Sequence, residues 1–532
     1  MQRFSVMLDF SRNGVMKVEK VKEYIDYLKL FGYNSLMLYT EDTYEIEGEP
    51  YFGYLRGRYS KQELKEINEY CVQKGIELIP CIQTLGHLTT IFRWKRFEPV
   101  MDTYGILLAE EEQTYQLIDK MFSNLAECFT SKVIHIGMDE AHSVGLGRYL
   151  DRHGYKNRFE ILKKHLERVI EIAKKYGFKP IMWSDMFFRL ANEGVYYLKD
   201  PKVLPQEIIS AVPDGVNLVY WNYYEPKERK AVYDNMLKAH KKLDSDCWFA
   251  GGIWTWRGFV PFNAWTREVS RPALDACKKH NIDNILFTLW GDNGSECSYF
   301  AVLSSLYYVK RYYEGEKRIS VIKKEFKALT GEDFDRFNSL DLPNMVGGNT
   351  KKPFNPSRYG LYNDLFLGIY DDCIPDNCAE EYKKYAKRIK KYTKDTKFGY
   401  LFETSYRLCD FLTDKIELGK QLRTAYQQGD KEKIEQLIIV LKRARKKLEK
   451  LYNAVFNQWH TDYKPFGFEI IDQRFGGLAG RLKSCQRRLT DYLDGKGEIL
   501  ELEEVLLPIA PEGQQMLTVG YWEQIVRGGS NI

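Results

Sequence analysis

The chain has 532 residues, 44% of them hydrophobic and 29% charged, so it is long enough for two or three folded domains and too apolar to be disordered. Its formal net charge of +5 is too weak to imply nucleic-acid binding, which usually needs a concentrated basic face, and the basic run at residues 442–447 is typical of a solvated helix face. No CxxC pair occurs among the 10 cysteines, which argues against a zinc knuckle. Since neither a basic-then-apolar leader nor a long apolar run occurs, we expect a cytoplasmic protein with reduced thiols and no membrane segment.

The first three-fifths of the chain repeats one pattern, in which an amphipathic helix is followed by a glycine and a short apolar strand. Val21, Ile25 and Leu28 have helical spacing, Gly32 follows them, and residues 35–39 form the apolar run. Glycine just past a helix end adopts the left-handed conformation cheaply, and short continuous apolar runs are typical of parallel strands covered on both faces. The pattern predicts eight strands, at approximately 4–9, 34–39, 76–82, 132–138, 179–185, 216–222, 247–254 and 284–290.

Eight strand–helix units predict a (β/α)8 barrel over residues 1–315, followed by a mainly α-helical domain over residues 316–532. A doubly wound open sheet is the alternative, but no GxGxxG motif follows the first strand. Residues 378–500 are charged and helix-periodic, with heptad-like apolar spacing in places. This segment is typical of a helical bundle packed on the barrel, and a homodimer is a second way to bury its apolar stripe.

Polar and aromatic residues follow seven of the predicted strands, at the end that forms the active-site rim of a (β/α)8 barrel. In chain order they are Asp9 and Arg12, His87, Asp139 and Glu140, Trp183 and Asp185, Trp221 to Tyr223, Trp254 and Trp256, and Trp290 and Asp292. Carboxylates and arginine bind sugar hydroxyls, while indole rings pack on the C–H face of a sugar. The rim therefore predicts a carbohydrate site.

The sharpest motif is VIHIGMDEAH at residues 133–142, which closely resembles the H-x-G-x-D-E signature of glycoside hydrolase family 20, the β-N-acetylhexosaminidases. LDFSR at residues 8–12 resembles the D-x-[SA]-R element of the family's first strand, and Gly86-His87 resembles its P-G-H. The resemblance covers roughly residues 3–314. Its weaker matches are the indoles of the acetamido pocket and a distal carboxylate, at Trp183, Trp221, Trp290 and Asp292.

This resemblance implies a retaining exo-β-N-acetylhexosaminidase that acts on oligosaccharides ending in β-linked N-acetylglucosamine or N-acetylgalactosamine and needs no metal or cofactor. Glu140 would be the general acid and base, with its pKa raised by a neighbouring anion and apolar walls. Asp139 would orient the 2-acetamido group, whose own oxygen attacks the anomeric carbon, so the protein supplies no nucleophile. Arg12 and Asp292 would bind the distal hydroxyls.

The remaining predicted substrate-binding residues are His87, Trp183, Trp221, Tyr223, Trp254 and Trp290. Tyr223 is the preferred contact for the acetamido oxygen, with Tyr224 behind it, and Trp254 is preferred to Trp256 at the rim. The chain also departs from the family pattern. Strand 1 begins without the usual preceding α/β domain, Met138 replaces a common glycine, and Leu85 replaces the proline of P-G-H. These departures indicate a divergent branch.

Two other functions are compatible with these residues. A metal-dependent barrel hydrolase would use His and Asp ligands, although no HxH motif lies on strand 1; the candidates are His87, His135, Asp139, His142 and Asp185. A sugar-binding protein without catalysis would keep the tryptophans but lose an acid or the arginine, and all of those groups are present.

An aromatic and charged cluster at residues 459–469 separates two helix-like segments of the C-terminal region. Such a cluster is typical of a structural corner, with Trp459 packed on the barrel and with Glu469 or Asp472 paired to Arg474. The functional alternative is that the cluster walls the sugar pocket of its own barrel, or of a partner's barrel in a dimer.

Overall fold

The computed structural model describes residues 2–196, 204–350, 352–394, 396–510 and 512–526. Each of its eight strands pairs in parallel with the next, and the last pairs back with the first, which closes a barrel without open edges. The strands are β1 Arg3–Asp9, β2 Ser35–Thr40, β3 Glu77–Ile82, β4 Val133–His135, β5 Lys179–Trp183, β6 Asn217–Trp221, β7 Trp248–Gly252 and β8 Asn284–Leu289. The prediction of a (β/α)8 barrel is confirmed.

Helices connect the strands on the outside of the barrel. They are α1 Val18–Leu30, α2 Lys61–Lys74, α3 Glu112–Cys128, α4 Arg148–His153, α5 Arg158–Lys175, α6 Asp185–Ala191, α7 Gln206–Ala211, α8 Ala231–Leu243, α9 Asn263–Lys279 and α10 Leu303–Glu314. Helix α2 shows why the ends of the helices could be predicted from the sequence. Ser60 and Glu63 form a reciprocal capping box at its start, and Gly75 ends it with a φ of 66°.

Successive residues of each strand point to opposite faces of the barrel wall. In β2, Leu36 and Leu38 pack toward the helices, whereas Met37 and Tyr39 belong to the cluster that fills the barrel interior. Among the residues that face the barrel interior, Tyr39 and Trp183 stand nearest the carboxyl ends of β2 and β5. They therefore form the floor of whatever site lies above.

Strand β4 ends at His135, earlier than the predicted strand of residues 132–138. Gly137 and Met138 have φ values of 72° and 69°, in the left-handed region that breaks a strand. The hydrogen bonding between β4 and β5 nevertheless continues for one more residue, because Ile136 N donates to Ile181 O at 2.9 Å. The sharp turn lifts the next two residues, Asp139 and Glu140, into the mouth of the barrel.

The C-terminal region is helical, as predicted. Its helices are α11 Ile319–Thr330, α12 Phe334–Asn338, α13 Pro356–Tyr362, α14 Cys378–Ile389, α15 Gly399–Lys415, α16 Leu418–Gln427, α17 Lys431–Asp462, α18 Phe468–Leu493, α19 Leu500–Glu503 and α20 Trp522–Val526. In the described ranges, none of the helices combines the length and apolarity that crossing a bilayer requires. The domain division at residue 315 and the homodimer remain predictions.

Candidate active site

A cavity opens at the carboxyl ends of the strands, where the barrel rim was expected to carry the site. Nine of the ten predicted site residues line it, and their individual roles remain predictions. The lining residues are Arg12, Tyr39, His87, Asp139, Glu140, Trp183, Trp221, Tyr223, Tyr224, Trp256, Trp290 and Asp292.

The carboxylate of Asp139 is buried and held by one side-chain hydrogen bond and one ion pair. Gln83 Nε2 donates to its Oδ1 at 2.7 Å, and His87 Nε2 lies 3.2 Å from its Oδ2. Gln83 is itself oriented by Met138, whose backbone N–H donates to Oε1 at 3.1 Å. A Cβ on Gly137 would lie 2.1 Å from the same Oε1, so glycine is required for this clamp. The clamp gives Asp139 a single orientation.

His87 and Asp139 form an ion pair. Burial opposes the charge on each, but their mutual attraction outweighs it, raising the pKa of His87 to about 9 and lowering the pKa of Asp139 to about 2. At neutral pH the site therefore contains an imidazolium next to an ionised aspartate.

Glu140 has a different environment. Its side chain is partly exposed at the cavity mouth, and Arg189 Nη2 lies 3.6 Å from its Oε1. Its backbone N–H donates to Asp185 Oδ2 at 3.2 Å. Burial, and then the charge of Asp139, raise the pKa of Glu140, whereas His87 and Arg189 oppose the rise. Glu140 therefore retains a proton more readily than an ordinary glutamate, as a general acid requires.

Left-handed backbone is concentrated in this motif. Met138 has a φ of 69° and Glu140 a φ of 49°, although neither is glycine. Such residues store strain that the surrounding structure must offset, and they cluster at functional sites. Met138 stands where the family often has glycine, the residue that adopts this conformation most cheaply.

The opposite wall carries Arg12 and Asp292, from the ends of β1 and β8. Arg12 Nη1 lies 3.0 Å from Glu41 Oε1, and Tyr39 donates its hydroxyl to the same oxygen at 3.2 Å. Burial raises the pKa of Glu41 to about 7 despite Arg12, and burial also raises the pKa of Asp292. Tyr39 and Glu41 lie at the end of β2, the one strand that was not among the seven predicted to carry site residues, and the strand-end rule applies to them as well.

An aromatic wall connects the two polar sides. Trp290 has its ring centroid 4.9 Å from that of Tyr39 and 6.2 Å from that of Trp183. Trp221 and Tyr223 stack with centroids 5.4 Å apart and an interplanar angle of 23°. Trp183 Nε1 is buried without an acceptor among the described residues.

Trp254 does not line the cavity, and its predicted place at the rim is wrong. Strand β7 ends at Gly252, so the following loop, not strand alternation, determines where both indoles lie. Trp254 is turned inward and donates Nε1 to Tyr223 O at 3.1 Å. Trp256 stacks on it with centroids 4.3 Å apart and presents its ring to the cavity. Trp254 therefore supports the wall that Trp256 forms.

His87, Asp139 and Glu140 also place potential ligand atoms within 4.8 Å of one another, and the described ranges contain no other such group. His135, His142 and Asp185, the other candidate metal ligands, do not join it. A metal-binding imidazole must be neutral, so an ion would have to displace the proton that Asp139 favours on His87. Without an ion, His87 pairs with both carboxylates.

Two family models match the chain. The model described as "Glycosyl hydrolase family 20, catalytic domain" matches residues 4–236, and "Glycoside Hydrolase 20C C-terminal domain" matches residues 332–519. The chain belongs to glycoside hydrolase family 20. The first match spans β1 to β6, including the D-E motif, and the resemblance drawn from that motif is confirmed.

Curated relatives of this family 20 chain include Hexosaminidase D of Homo sapiens, 26% identical over 219 residues, or 39% of this chain and 42% of that protein. Beta-hexosaminidase 1 of Coccidioides posadasii is 22% identical over 344 residues, or 55% of this chain and 57% of that protein. The chain spans about half the length of such relatives. A solved GH20 exo beta-N-acetylglucosaminidase from Vibrio harveyi, in complex with N-acetylglucosamine, has 16% identity, a TM-score of 0.47 and coverage of 64% and 58% of the two chains.

Proposed function

We propose that this protein is a retaining exo-β-N-acetylhexosaminidase that removes terminal β-linked N-acetylglucosamine or N-acetylgalactosamine from oligosaccharides by substrate-assisted catalysis. One observation carries the proposal: adjacent carboxyl groups have opposite environments. Asp139 is clamped and its pKa is lowered, whereas Glu140 stands at the cavity mouth and its pKa is raised. Two neighbouring carboxyl groups whose pKa values are shifted in opposite directions are typical of an active site in which one group acts as an anion and the other as an acid.

In this mechanism Glu140 protonates the glycosidic oxygen and later takes a proton from the attacking water. The ionised Asp139 accepts the acetamido N–H and stabilises positive charge as it develops on that nitrogen. The acetamido oxygen displaces the leaving group from the anomeric carbon, and water then displaces that oxygen from the opposite face. Two inversions give net retention without a protein nucleophile.

Exo-action is supported by the arrangement of strands. β4 lies across the barrel from β8 and β1, so the D-E motif faces Asp292 and Arg12 over the cavity mouth. A terminal ring held by its distal hydroxyls at Asp292 and Arg12 would present its anomeric carbon to Glu140. The tryptophans between them would pack on the ring and the acetamido methyl group.

The proposal is tested with 4-nitrophenyl β-glycosides of N-acetylglucosamine and N-acetylgalactosamine, with NMR to identify the first-formed anomer. We expect turnover of at least one of them, with the β-anomer released. The matched control is the β-glucoside, which lacks the acetamido group and should not be hydrolysed. Turnover of that control at a similar rate, or first release of the α-anomer, would exclude substrate assistance.

A metal-dependent hydrolase remains the alternative with a specific observation behind it, the grouping of His87, Asp139 and Glu140. Dialysis against EDTA separates the two functions. Unchanged turnover is expected here, and a loss that zinc or another divalent ion restores would favour the metal site.

A further inference from the structure

The loop that follows Asp292 has an unusual backbone. Asn293, Gly294 and Ser295 have φ values of 53°, 120° and 52°, so three consecutive residues adopt positive φ. This conformation is costly for Ser295 in particular and persists only where neighbouring groups hold it. The loop therefore needs external support, and it is the segment that carries Asp292 into the cavity.

Two arginines of the C-terminal region supply that support. Arg474, on α18, donates from Nη1 to Asn293 O at 2.8 Å and from Nη2 to Asn293 Oδ1 at 2.9 Å. Arg358, on α13, donates from Nη2 to the same two oxygens, at 3.2 Å and 2.7 Å. The backbone N–H of Trp522 adds a third donor to Asn293 Oδ1 at 3.2 Å.

Both arginines also pair with Glu296. Arg358 Nε lies 2.9 Å from its Oε2 and Arg474 Nη1 lies 2.8 Å from its Oε1. The side chains of Arg358 and Glu296 are each 1% exposed, so the charges are desolvated. Buried ion pairs contribute little net stability, because desolvation offsets their attraction. We therefore explain these pairs by the orientation that they give to the loop.

The other arm of the loop reaches Arg12. Ser295 donates its hydroxyl to the carbonyl oxygen of Arg12. A Cβ on Gly294 would lie 2.7 Å from Arg474 Nη1, so the loop and the arginine are in close contact. Asp292 and Arg12 are thus connected through one strained loop to α13 and α18.

We propose that Arg474 and Arg358 are positioning residues for the terminal sugar: by holding Asn293 they fix the backbone next to Asp292 and, through Ser295, the backbone of Arg12. The inference rests on the proposed function, and it makes the C-terminal region part of the sugar-binding machinery. Neither arginine touches the substrate. Their effect falls on the affinity for the distal hydroxyls, not on the acid–base step at Glu140.

The test compares Arg474→Lys with wild type in the 532-residue chain. Lysine keeps the charge opposite Glu296 but cannot reproduce the fork onto Asn293. We expect KM for the hydrolysed 4-nitrophenyl glycoside to rise about tenfold while kcat changes less than about threefold. The matched control is Arg481→Lys, seven residues further along α18, where Arg481 pairs with Asp364 inside the C-terminal region. Its KM should stay at the wild-type value.

A deoxy substrate distinguishes positioning from general loosening. The 4-deoxy and 6-deoxy analogues remove candidate partners of Asp292 and Arg12. One of these analogues will weaken wild-type binding most. On that analogue, Arg474→Lys should raise KM by a much smaller factor than it does on the parent glycoside. An unchanged KM for the variant, or an equal loss on parent and deoxy substrates, would overturn the inference.

If Arg474→Lys does not fold, Ser295→Ala interrupts the other arm without disturbing a charge. It should show the same rise in KM and the same dependence on the distal hydroxyl, and a wild-type KM would overturn the inference. A wild type that hydrolyses neither N-acetylhexosaminide would overturn the proposed function and this inference together. A wild type that is active, with variants insensitive to the deoxy change, overturns the inference alone.

Discussion

His87 Nε2 lies 3.2 Å from Asp139 Oδ2, at a point where the backbone of His87 has a φ of 55°. The same nitrogen is 3.7 Å from Glu140 Oε2, so one imidazolium faces both carboxyl groups of the motif. It stabilises charge on Asp139 more than on Glu140, because it is closer to Asp139. His87 therefore helps to separate the two pKa values on which the mechanism depends.

The first prediction concerns this separation. His87→Gln should raise the pKa of Asp139, because burial is then no longer offset by a cation. The ionised form of Asp139 in wild type is lost only as pH falls through about 2. In the variant, the acid limb of kcat/KM against pH should therefore move upward by about one unit or more. The charge of His87 also lowers the pKa values of Glu41 and Asp292, so the shift of the acid limb reports the loss of this cation from the whole site, with Asp139 as its nearest partner.

Coincident acid limbs would show that Gln83, not His87, keeps Asp139 ionised. On the alkaline side, the pKa of His87 is raised from 6.5 to about 9, so the stabilisation from the pair is fully present below pH 6.5 and is lost as pH rises from there through about 9. The melting temperature of wild type should fall across that range more than that of His87→Gln.

Glu140→Gln tests the general acid. We expect hydrolysis of a disaccharide to fall by about a hundredfold or more, while 4-nitrophenyl glycosides are affected much less, because a good leaving group needs little protonation. Wild type should lose activity as pH rises through the raised pKa of Glu140, and the variant should lack that limb on the activated substrate. Equal losses on both substrates would remove Glu140 from this role.

Asp139→Asn tests substrate assistance. Turnover should fall by about a hundredfold or more with the fold retained, because the amide cannot stabilise the developing charge on the acetamido nitrogen. Gln83 and His87 still surround the position, so circular dichroism and the melting temperature provide the folding control. A stable oxazoline mimic should inhibit wild type competitively. Near-normal turnover of the variant, or no inhibition, would contradict the mechanism.

The two stacked tryptophans should separate binding from stability. Trp256→Phe should raise KM by about threefold to tenfold, because its ring faces the cavity. Trp254→Phe should chiefly lower the melting temperature, since it loses the bond from Nε1 to Tyr223 O, a contribution of about 1 kcal/mol. Steady-state kinetics and thermal denaturation of both variants test this. A raised KM for Trp254→Phe with a lowered melting temperature for Trp256→Phe would show that Trp254 forms the rim.

The aromatic corner between α17 and α18 should be structural. Trp459 is buried and donates Nε1 to Lys464 O at 3.0 Å, away from the cavity lining. Trp459→Ala should cost about 3–5 kcal/mol of unfolding free energy and leave KM within about twofold. Ile439→Ala, at a position of the same helix that is 63% exposed, is the control and should change the melting temperature little. A rise in KM without destabilisation would make the corner a wall of the pocket.

The sequence also predicted the wrong partner for Arg474. Glu469 and Asp472 were the expected ion pairs because they are near in sequence, but Glu469 accepts from the backbone of Gly467, and Asp472 accepts from Tyr452. Arg474 instead reaches Glu296, 178 residues earlier in the chain. Proximity in sequence had no bearing on this buried pair.

Local patterns determined what the sequence could predict by itself. Alternating helices and apolar runs indicated eight strands, and the adjacency of Asp139 and Glu140 after one such run located the candidate acids. These patterns are reliable in the sequence alone because each depends on residues within a few positions of one another. Only the tertiary structure showed that Gln83 donates to Asp139 and that Arg474 donates to Asn293. It also showed that Trp256, and not Trp254, lines the cavity. The physical reason is that these contacts depend on the paths of loops beyond the strand ends, and packing against distant segments sets those paths.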